Sequence, residues 1–227
     1  MSKSHLMGRA LYTLGTCLSQ QTTTRFDNAL NYLAVGTWAK SRNYTNVPGF
    51  HDRYRLMEKI ASEVADERVL YLEFGVYKGD SIKVWAKLLK NPESHLHGFD
   101  SFEGLPEEWM SDTPRGHFST GGVMPVVDDP RVKFFKGWFD QVLPTYEFPQ
   151  YDRLIIALDA DLYSATQYVL DFLESRLQVG SILYFDEFRH RNHEMKAFLE
   201  FEGRTGWQFE VLGQSSCWEH AAFKRIR

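Results

Sequence analysis

The segment VLYLEFGVYKGDS, residues 69–81, holds the change of pattern that decides the fold. Its first six residues form a short, largely apolar run, which predicts a buried strand of a parallel sheet. Gly75 and Gly79 predict a turn, and the following SIKVWAKLLK, residues 81–90, predicts a helix. A strand, a glycine turn and a helix in this order form one unit of an α/β sheet, whose strand ends are the usual place for ligands.

The alternation of strand and helix continues along the rest of the sequence. Strands are predicted at 95–100, 131–137, 153–159 and 181–186, and helices at 163–177 and 192–203. The apolar segments 207–213 and 217–226 flank a short polar turn and predict an antiparallel hairpin. We therefore predict an α/β fold with a Rossmann-like, mostly parallel sheet, helices on both faces and an antiparallel last strand.

The first 66 residues have a different, helical pattern. Apolar residues recur at helical spacing in 22–42 and in 52–66, and the stretch NVPGF between them breaks the helix. We predict that residues 1–66 form a helical extension or lid and that residues 67–227 form the ligand-binding domain, the two making one structural unit. Residues 1–25 contain no acidic residue and loosely resemble a targeting segment, but a flexible arm is the favoured interpretation.

The apolar side chains of this extension need a surface that covers them. They belong to Phe26, Leu30, Leu33, Trp38 and Phe50. Either the sheet or a second copy of the chain could provide that surface. We predict a homo-oligomer.

The composition narrows the class of protein. The chain has 227 residues, of which 43% are hydrophobic and 25% are charged, so it is not a disordered protein. Its 26 Lys+Arg and 30 Asp+Glu give a net charge of −4, which offers no general attraction for DNA or RNA. Two cysteines cannot form a disulfide framework, and no apolar run approaches the roughly 20 residues of a membrane span. We predict a cytoplasmic protein that acts on a small molecule, without nucleic-acid or membrane partners.

Four of the five predicted parallel strands end in acidic residues. These are Glu73, Asp100, Asp159 and the pair Asp186-Glu187. Buried carboxylates cost free energy unless they are paired or bind a ligand, so these positions are candidates for a site. Asp100 ends the second strand, where nucleotide-binding sheets hold ribose hydroxyls. The glycine turn has only two of the three glycines of the dinucleotide motif, so it is a weak signal on its own.

The carboxylates after the fourth and fifth strands form a second candidate site. If these strands are neighbours they lie about 4.8 Å apart, so Asp159, Asp161, Asp186 and Glu187 can converge on one ion. An all-oxygen donor set suits Mg²⁺, Mn²⁺ or Ca²⁺ better than Zn²⁺ or copper. The alternative is that these carboxylates are bonded to backbone N–H groups or to the arginines of residues 189–191.

Four motifs resemble those of a known family. EFGVYKGDS (73–81), HGFDSFEGLPE (97–107), DADLYSAT (159–166) and YFDEF (184–188) resemble the macrocin O-methyltransferase family, which belongs to the class I S-adenosylmethionine-dependent methyltransferases. The resemblance spans roughly residues 50–205, and GFDSFEGLP is its most specific part. It implies a seven-stranded sheet with an antiparallel last strand, S-adenosylmethionine as the cofactor, and a hydroxyl of a sugar or of a glycosylated metabolite as the acceptor.

The resemblance also implies where the cofactor binds. The methionine end would lie at the glycine turn, the ribose hydroxyls at Asp100, and the adenine after the third strand. The predicted cofactor-binding residues are Glu73, Gly75, Val76, Gly79, Ser81, Asp100, Ser101, Phe102, Gly137, Trp138 and Asp159.

A magnesium ion at the ends of the fourth and fifth strands is implied as well. Its predicted ligands are Asp159, Asp186 and Glu187. The family usually has Asp at the last of these positions, so Glu187 is a departure. Such an ion would position two acceptor hydroxyls and lower the pKa of the reacting one. For the general base, Asp161 and His193 are the predicted candidates, and His190 lies equally close to the fifth strand.

Other functions stay open on the sequence alone. A nicotinamide-dependent oxidoreductase is disfavoured by the missing middle glycine and by the acidic cluster. DNA amino-group methyltransferases typically have N/D-P-P-Y/F after the fourth strand, whereas this sequence has DADL at 159–162. A methyltransferase without a metal, or a binding protein without turnover, is a further alternative. The long segment 104–129 predicts a lid over the site.

Overall fold

A single mixed sheet forms the centre of the computed structural model, which describes residues 3–110 and 113–227. Its eight strands are β1 (Gly49–Phe50), β2 (Val69–Phe74), β3 (His95–Asp100), β4 (Val132–Lys136), β5 (Arg153–Leu158), β6 (Ile182–Phe185), β7 (Phe209–Ser215) and β8 (His220–Arg225). They lie in the order β1-β7-β8-β6-β5-β2-β3-β4. β8 runs antiparallel to both of its neighbours, and all other pairs are parallel. The predicted fold class is therefore confirmed.

The sheet has one strand more than the seven expected. The additional strand is β1, whose Gly49 and Phe50 pair with Gln214 and Ser215 of β7. The sequence prediction treated residues 46–50 only as a break between two helices. A strand of two residues has no periodicity to recognise, because it is defined by its partner on β7 rather than by its own pattern.

Helices cover both faces of the sheet, as predicted. They are α1 (Lys3–Gly15), α2 (Gln20–Ser41), α3 (Arg53–Ser62), α4 (Asp80–Leu88), α5 (Phe139–Val142), α6 (Tyr163–Leu173) and α7 (Glu194–Thr205). The residues of α1 were expected to form a flexible arm, and the structure has a helix there, exposed from residue 4 onwards. α2 begins after Ser19, whose hydroxyl accepts a hydrogen bond from the amide of Thr22.

Alternating strand residues fill two cores, one on each face. Phe74, Phe99 and Phe185 point to the face covered by α2, α6 and α7, whereas Tyr71 and Tyr184 point to the face covered by α3 and α4. The rings of Phe74 and Phe99 stack with their centroids 5.0 Å apart. Aromatic residues make up 15% of the sequence, and many of them fill these cores.

The helical extension is only partly buried. Trp38 of α2 packs on Phe188 and Trp218, with ring centroids 5.2 and 5.1 Å away, so this end of α2 covers the sheet. In contrast, Phe26 and Leu33 of the same helix are exposed. The exposed side chains keep the predicted homo-oligomer open as a prediction.

The pairing of the strands brings the predicted site residues to one edge. Phe74 at the end of β2 is in register with Phe99 of β3 and with Leu158 of β5, and Leu158 is in register with Phe185 of β6. The residues that follow these positions therefore emerge side by side. This is the carboxyl edge, where ligands bind in open α/β sheets.

The buried imidazole of His97 on β3 makes stability depend on pH. Its Nδ1 lies 2.6 Å from the hydroxyl of Tyr146, and burial lowers the pKa of His97 to about 4. In the unfolded chain the pKa is near the ordinary value of about 6.5, so only the unfolded state takes up this proton as the pH falls from 6.5 towards 4. We expect His97 to remove about 2 kcal/mol from the free energy of unfolding between pH 7 and pH 5.

Urea unfolding at pH 7 and pH 5 measures this effect. His97→Gln removes the titrating group, so the free energy of unfolding of this variant should depend less steeply on pH than that of the wild type. His51→Gln is the control, because the His51 side chain is 95% exposed. Equal pH slopes for both variants would contradict the prediction.

Candidate active site

A cavity of about 300 Å³ lies at the carboxyl edge of the sheet. Most of the site residues predicted from the sequence line it. They are Gly75, Val76, Ser81, Asp100, Ser101, Trp138, Asp159, Asp161, Asp186 and Glu187. The strand ends and the glycine turn thus share one cavity, as the sequence suggested.

The glycine turn after β2 packs directly on the end of β5. Gly75 has φ +92°, and a Cβ at this position would lie 1.7 Å from the carbonyl oxygen of Asp159. Only glycine fits such a position, both for its backbone conformation and for its lack of a side chain. Gly79, at φ +73°, is the residue before α4 and lies outside the lining of the cavity.

The carboxylate of Asp100 organises the turn. Its Oδ2 accepts hydrogen bonds from the amides of Val76 and Tyr77, both at 2.8 Å, and its Oδ1 accepts one from the amide of Phe102 at 2.7 Å. Tyr77 and Phe102 both have positive φ angles, +51° and +59°. Three charge-assisted bonds therefore fix the backbone beside the cavity and hold the carboxylate in one orientation.

Three further residues of the predicted cofactor site lie outside the lining of the cavity. Phe102 is fully buried, and neither Gly137 nor Glu73 is among the lining residues. The Oε2 atom of Glu73 accepts a hydrogen bond from the Tyr71 hydroxyl at 2.5 Å. Burial raises the pKa of Glu73 to about 8, so this side chain is a buried neighbour of the glycine turn.

Three carboxylates converge in the cavity. Oxygen atoms of Asp159, Asp161 and Glu187 all lie within 4.8 Å of one another. Burial, together with repulsion from Asp186, raises the pKa of Asp159 and of Glu187 well above the ordinary value, and raises that of Asp161 to about 7. Asp161 joins the group from a left-handed backbone conformation, φ +59°, which is uncommon for a residue other than glycine.

This carboxylate cluster fits a divalent cation. It offers three oxygen donors, which suit Mg²⁺ or a similar hard cation. The Oε2 atom of Glu187 is buried and has no hydrogen-bond partner among the described residues. A cation would neutralise the repulsion that raises these pKa values.

The cluster differs in one member from the set of cation ligands predicted from the sequence. Asp161 belongs to the cluster, whereas Asp186 lies outside it and is bonded elsewhere. Asp186 accepts hydrogen bonds from Nη1 of Arg53 at 3.1 Å and from the Tyr184 hydroxyl at 2.8 Å, and His220 Nε2 lies 3.6 Å away. The competing partner, Arg53, is 133 residues away along the chain, so the sequence around Asp186 gives no sign of it.

The arginines considered as partners of the carboxylates are bonded elsewhere. Arg189 forms an ion pair with Glu219, and Arg191 forms one with Asp27 of α2. Sequence reasoning also missed a buried acid of α7, Glu194, whose Oε2 accepts a hydrogen bond from the amide of Glu187 at 2.9 Å. This bond holds the backbone of the segment that carries Glu187.

The two candidates for the general base lie in different cavities. Asp161 lines the cavity described above, whereas His193 lines a neighbouring one of about 470 Å³ together with Trp109 and His190. The His190 and Trp109 rings stack with centroids 5.2 Å apart, and burial lowers the pKa of His190 to about 4 and also lowers that of His193. The Nδ1 atom of His193 is buried without a hydrogen-bond partner in the described part of the chain.

The predicted lid contributes part of the wall. Of the segment 104–129, the structure describes all but residues 111 and 112. Leu105, Pro106 and Phe118 line the cavity, and the Phe118 ring lies 5.6 Å from that of Tyr77 in the glycine turn. The segment therefore covers the side of the cavity next to the turn.

Comparisons with known proteins match the fold and most of the chain. The sequence model described as Macrocin-O-methyltransferase (TylF) matches residues 21–211. Mycinamicin III 3''-O-methyltransferase of Micromonospora griseorubida is 29% identical over 158 residues, which are 65% of this chain and 58% of that protein. The match thus spans less than two thirds of this curated relative.

Solved structures share the fold at low sequence identity. A calicheamicin methyltransferase is 23% identical with a TM-score of 0.62, over 76% of this chain and 78% of its own. An apo structure that covers the same shares, described as a TDP-rhamnose 3'-O-methyltransferase, has a TM-score of 0.55 at 23% identity. A cmcI structure described with Mg and SAM is 15% identical with a TM-score of 0.51, over 76% of this chain and 71% of its own.

Among the described residues, no helix has both the length and the apolar character that a membrane span requires.

The comparisons and the fold agree on the family. The fold is shared with a solved methyltransferase structure. Since the family model covers most of its length, the chain belongs to the macrocin O-methyltransferase family of S-adenosylmethionine-dependent methyltransferases.

Proposed function

We propose that this chain transfers the methyl group of S-adenosylmethionine to a hydroxyl of a sugar or of a glycosylated small molecule, with the help of a divalent cation. The observation that carries the proposal is the shared cavity, in which the glycine turn and Asp100 lie next to the carboxylate cluster. The names of the mycinamicin and TDP-rhamnose methyltransferases support a sugar acceptor. The cmcI structure with Mg and SAM supports the cofactor and the cation.

The cofactor would lie across the ends of β2 and β3. Asp100 would accept hydrogen bonds from the ribose hydroxyls, since its carboxylate is already oriented by three backbone amides. Gly75 allows the chain to pass close to the methionine end, and Ser101 and Trp138 line the part of the cavity proposed for the adenosine. Glu73 would support the turn from behind.

Asp159, Asp161 and Glu187 would hold the cation. When bound, it supplies a Lewis acid that lowers the pKa of an acceptor hydroxyl. The residues that line the cavity would orient the two reactants. The acceptor oxygen must lie in line with the sulfonium methyl group, about 3 Å from it. The cluster adjoins the glycine turn, which places the acceptor and the cofactor in one cavity.

Asp161 is the group that we propose as the general base. A carboxylate has two oxygens, so one can face a cation while the other accepts the hydroxyl proton. In the transfer, the bond from the acceptor oxygen to the methyl carbon forms as the sulfur–carbon bond breaks, the electron pair stays on sulfur, and the proton goes to Asp161. The products are the methyl ether and S-adenosylhomocysteine. His193 is the alternative base, in the neighbouring cavity.

The acidic lining of the cavity limits which molecules can bind there. In the part of the chain that the structure describes, six carboxyl groups line the cavity, namely those of Asp80, Asp100, Asp159, Asp161, Asp186 and Glu187. This negative charge disfavours a polyanion such as DNA or RNA. The cytoplasmic location and the homo-oligomer stay predictions, the former based on two free, exposed cysteines.

Titration calorimetry with S-adenosylhomocysteine tests the cofactor site. We expect wild-type protein to bind it, and Asp100→Ala to bind it roughly 10- to 100-fold more weakly, because the substitution removes the ribose acceptor and leaves three backbone amides without their partner. Asp128→Ala, at an exposed position outside the cavity, is the matched control. NADH should not bind.

Methyl transfer completes the test. Wild-type protein with S-adenosylmethionine and TDP-rhamnose, or another sugar acceptor, is assayed with Mg²⁺ and with EDTA. Loss of methyl transfer in EDTA supports the cation, and equal activity in both would contradict it. Failure of the wild type to bind S-adenosylhomocysteine, or binding of NADH in its place, would contradict the methyltransferase itself.

A further inference from the structure

Arg53 brings a positive charge into an acidic cavity. It is the first residue of α3, and its side chain is 28% exposed where it lines the wall. Among the described residues that line the cavity, only Arg53 and Lys78 are basic, against six carboxylates. Sequence reasoning did not single out Arg53, because the amphipathic pattern of α3 does not show that its first residue reaches the site.

The position of the guanidinium group is fixed from several sides. Nη1 lies 3.1 Å from Oδ2 and 3.4 Å from Oδ1 of Asp186, whose Oδ1 also accepts a bond from Tyr184. The guanidinium carbon lies 5.4 Å from the centre of the Tyr54 ring. α3 itself is capped by Asp52, which accepts a hydrogen bond from the amide of Arg55 at 3.0 Å. Arg53 is therefore held in place before any ligand binds.

The ion pair leaves part of the guanidinium group for a ligand. Both contacts with Asp186 are made by Nη1, so Nε and Nη2 lie outside this pair. A guanidinium group has five N–H donors in a planar arrangement and can bridge two carboxylates. The other cation, Lys78, is exposed, and its ammonium group lies 4.8 Å from the centre of the neighbouring Tyr77 ring.

The proposed cofactor has a charge pattern that needs such a group. S-adenosylmethionine carries a sulfonium, an ammonium and a carboxylate. The carboxylates of the cavity attract the first two charges and repel the third, so the cofactor carboxylate needs a cation or several N–H donors nearby. Arg53 lines the same cavity as Gly75 of the glycine turn, which the proposed function places at the methionine end.

We propose that Arg53 binds the carboxylate of the methionine part of S-adenosylmethionine, and that Asp186 orients it for this contact. This inference rests on the proposed function. It gives Asp186 a role other than ligation of a cation. It also predicts that Arg53 contributes only to ligands that have the carboxylate.

Two ligands that differ in the amino-acid part separate this role from a general one. S-adenosylhomocysteine has the carboxylate, whereas 5′-methylthioadenosine has the same nucleoside and a thioether but no amino acid. Both are titrated calorimetrically into wild-type protein, Arg53→Met and Arg53→Lys. Arg55→Met is the matched control, because Arg55 lies on the same helix, is exposed and pairs only with Glu58 among the described residues.

We expect Arg53→Met to weaken S-adenosylhomocysteine binding roughly 10- to 100-fold while 5′-methylthioadenosine binding stays within about twofold. Arg53→Lys should fall between the wild type and Arg53→Met, since an ammonium group keeps the charge but not the planar set of donors. Arg55→Met should bind both ligands as the wild type does. Binding of 5′-methylthioadenosine by Arg53→Met also shows that the variant is folded.

Three outcomes would overturn the inference. If S-adenosylhomocysteine binds Arg53→Met as tightly as it binds the wild type, Arg53 does not bind the cofactor carboxylate and interacts only with Asp186 or with the acceptor. If both ligands weaken equally, Arg53 supports the cavity as a whole. If wild-type protein binds neither ligand, the proposed function fails and this inference fails with it, a result distinct from the first two.

Discussion

Asp159→Asn is expected to lower kcat by roughly 10³-fold without destabilising the protein. Asp159 contributes one of the three carboxylates that converge in the cavity. The side-chain amide of the variant would not supply the anionic oxygen that a divalent cation requires. The neutral amide has nearly the same shape as the carboxylic acid. It also removes one of the repelling charges that raise the pKa values of this cluster.

Three measurements check this combination. Methyl transfer gives kcat, calorimetric titration with Mn²⁺ shows cation binding without any acceptor, and thermal unfolding gives Tm. We expect Mn²⁺ binding to weaken at least roughly tenfold, and Tm in EDTA to be no lower than that of the wild type. Asp128→Asn, at an exposed position, is the control. Normal Mn²⁺ binding by Asp159→Asn would show that the cluster is not the cation site.

Gly75→Ala is expected to abolish S-adenosylhomocysteine binding, with an affinity loss of more than roughly 100-fold. The added methyl group would lie 1.7 Å from the carbonyl oxygen of Asp159, and the φ angle of +92° is one that alanine rarely adopts. The turn must therefore move away from β5, at a cost of several kcal/mol by the usual scale of backbone strain and steric overlap, about 1–3 kcal/mol for the strain alone. Movement of this turn also breaks the hydrogen bonds that Asp100 accepts from it.

Gly203→Ala is the matched control for this substitution. Gly203 lies within α7, is exposed, and a Cβ there would have no heavy atom within 4 Å. Alanine in a helix interior is favoured over glycine by up to about 1 kcal/mol, so this variant should bind S-adenosylhomocysteine normally and unfold at the same or a higher temperature. Wild-type affinity in Gly75→Ala would mean that the turn is not part of the cofactor site.

Most of the sheet could be predicted because its strands carry their own pattern. Local features such as the apolar runs of β2, β5 and β6 and the glycine turn are visible in the sequence. The seven longer strands were each recognised from a local pattern of this kind. β1 was not, because its two residues become a strand only by pairing with β7. α1 was not predicted either: as an exposed helix it has no face that a buried core would impose on its sequence.

The site was predictable in position but not in the direction of every side chain. The ends of parallel strands determine which residues reach the carboxyl edge, so Asp100, Asp159 and Glu187 were expected there. Which carboxylate joins the cluster depends on contacts that are distant in sequence. Arg53 bonds to Asp186 from 133 residues away, and this contact has no local signature. Asp161 was among the carboxylates expected to converge, but the sequence did not show that Asp161 rather than Asp186 would complete the cluster.

The place of β8 inside the sheet has a consequence for synthesis on the ribosome. β8 consists of six residues near the carboxyl end of this sequence, yet it lies between β6 and β7. A nascent chain that has emerged only as far as β7 can form the parallel sheet from β4 to β6, but β7 can pair only with the two residues of β1 and has no link to β6. Until β8 emerges, β6 is an open edge with unpaired backbone groups. During that interval this edge is open to pairing with strands of other nascent chains.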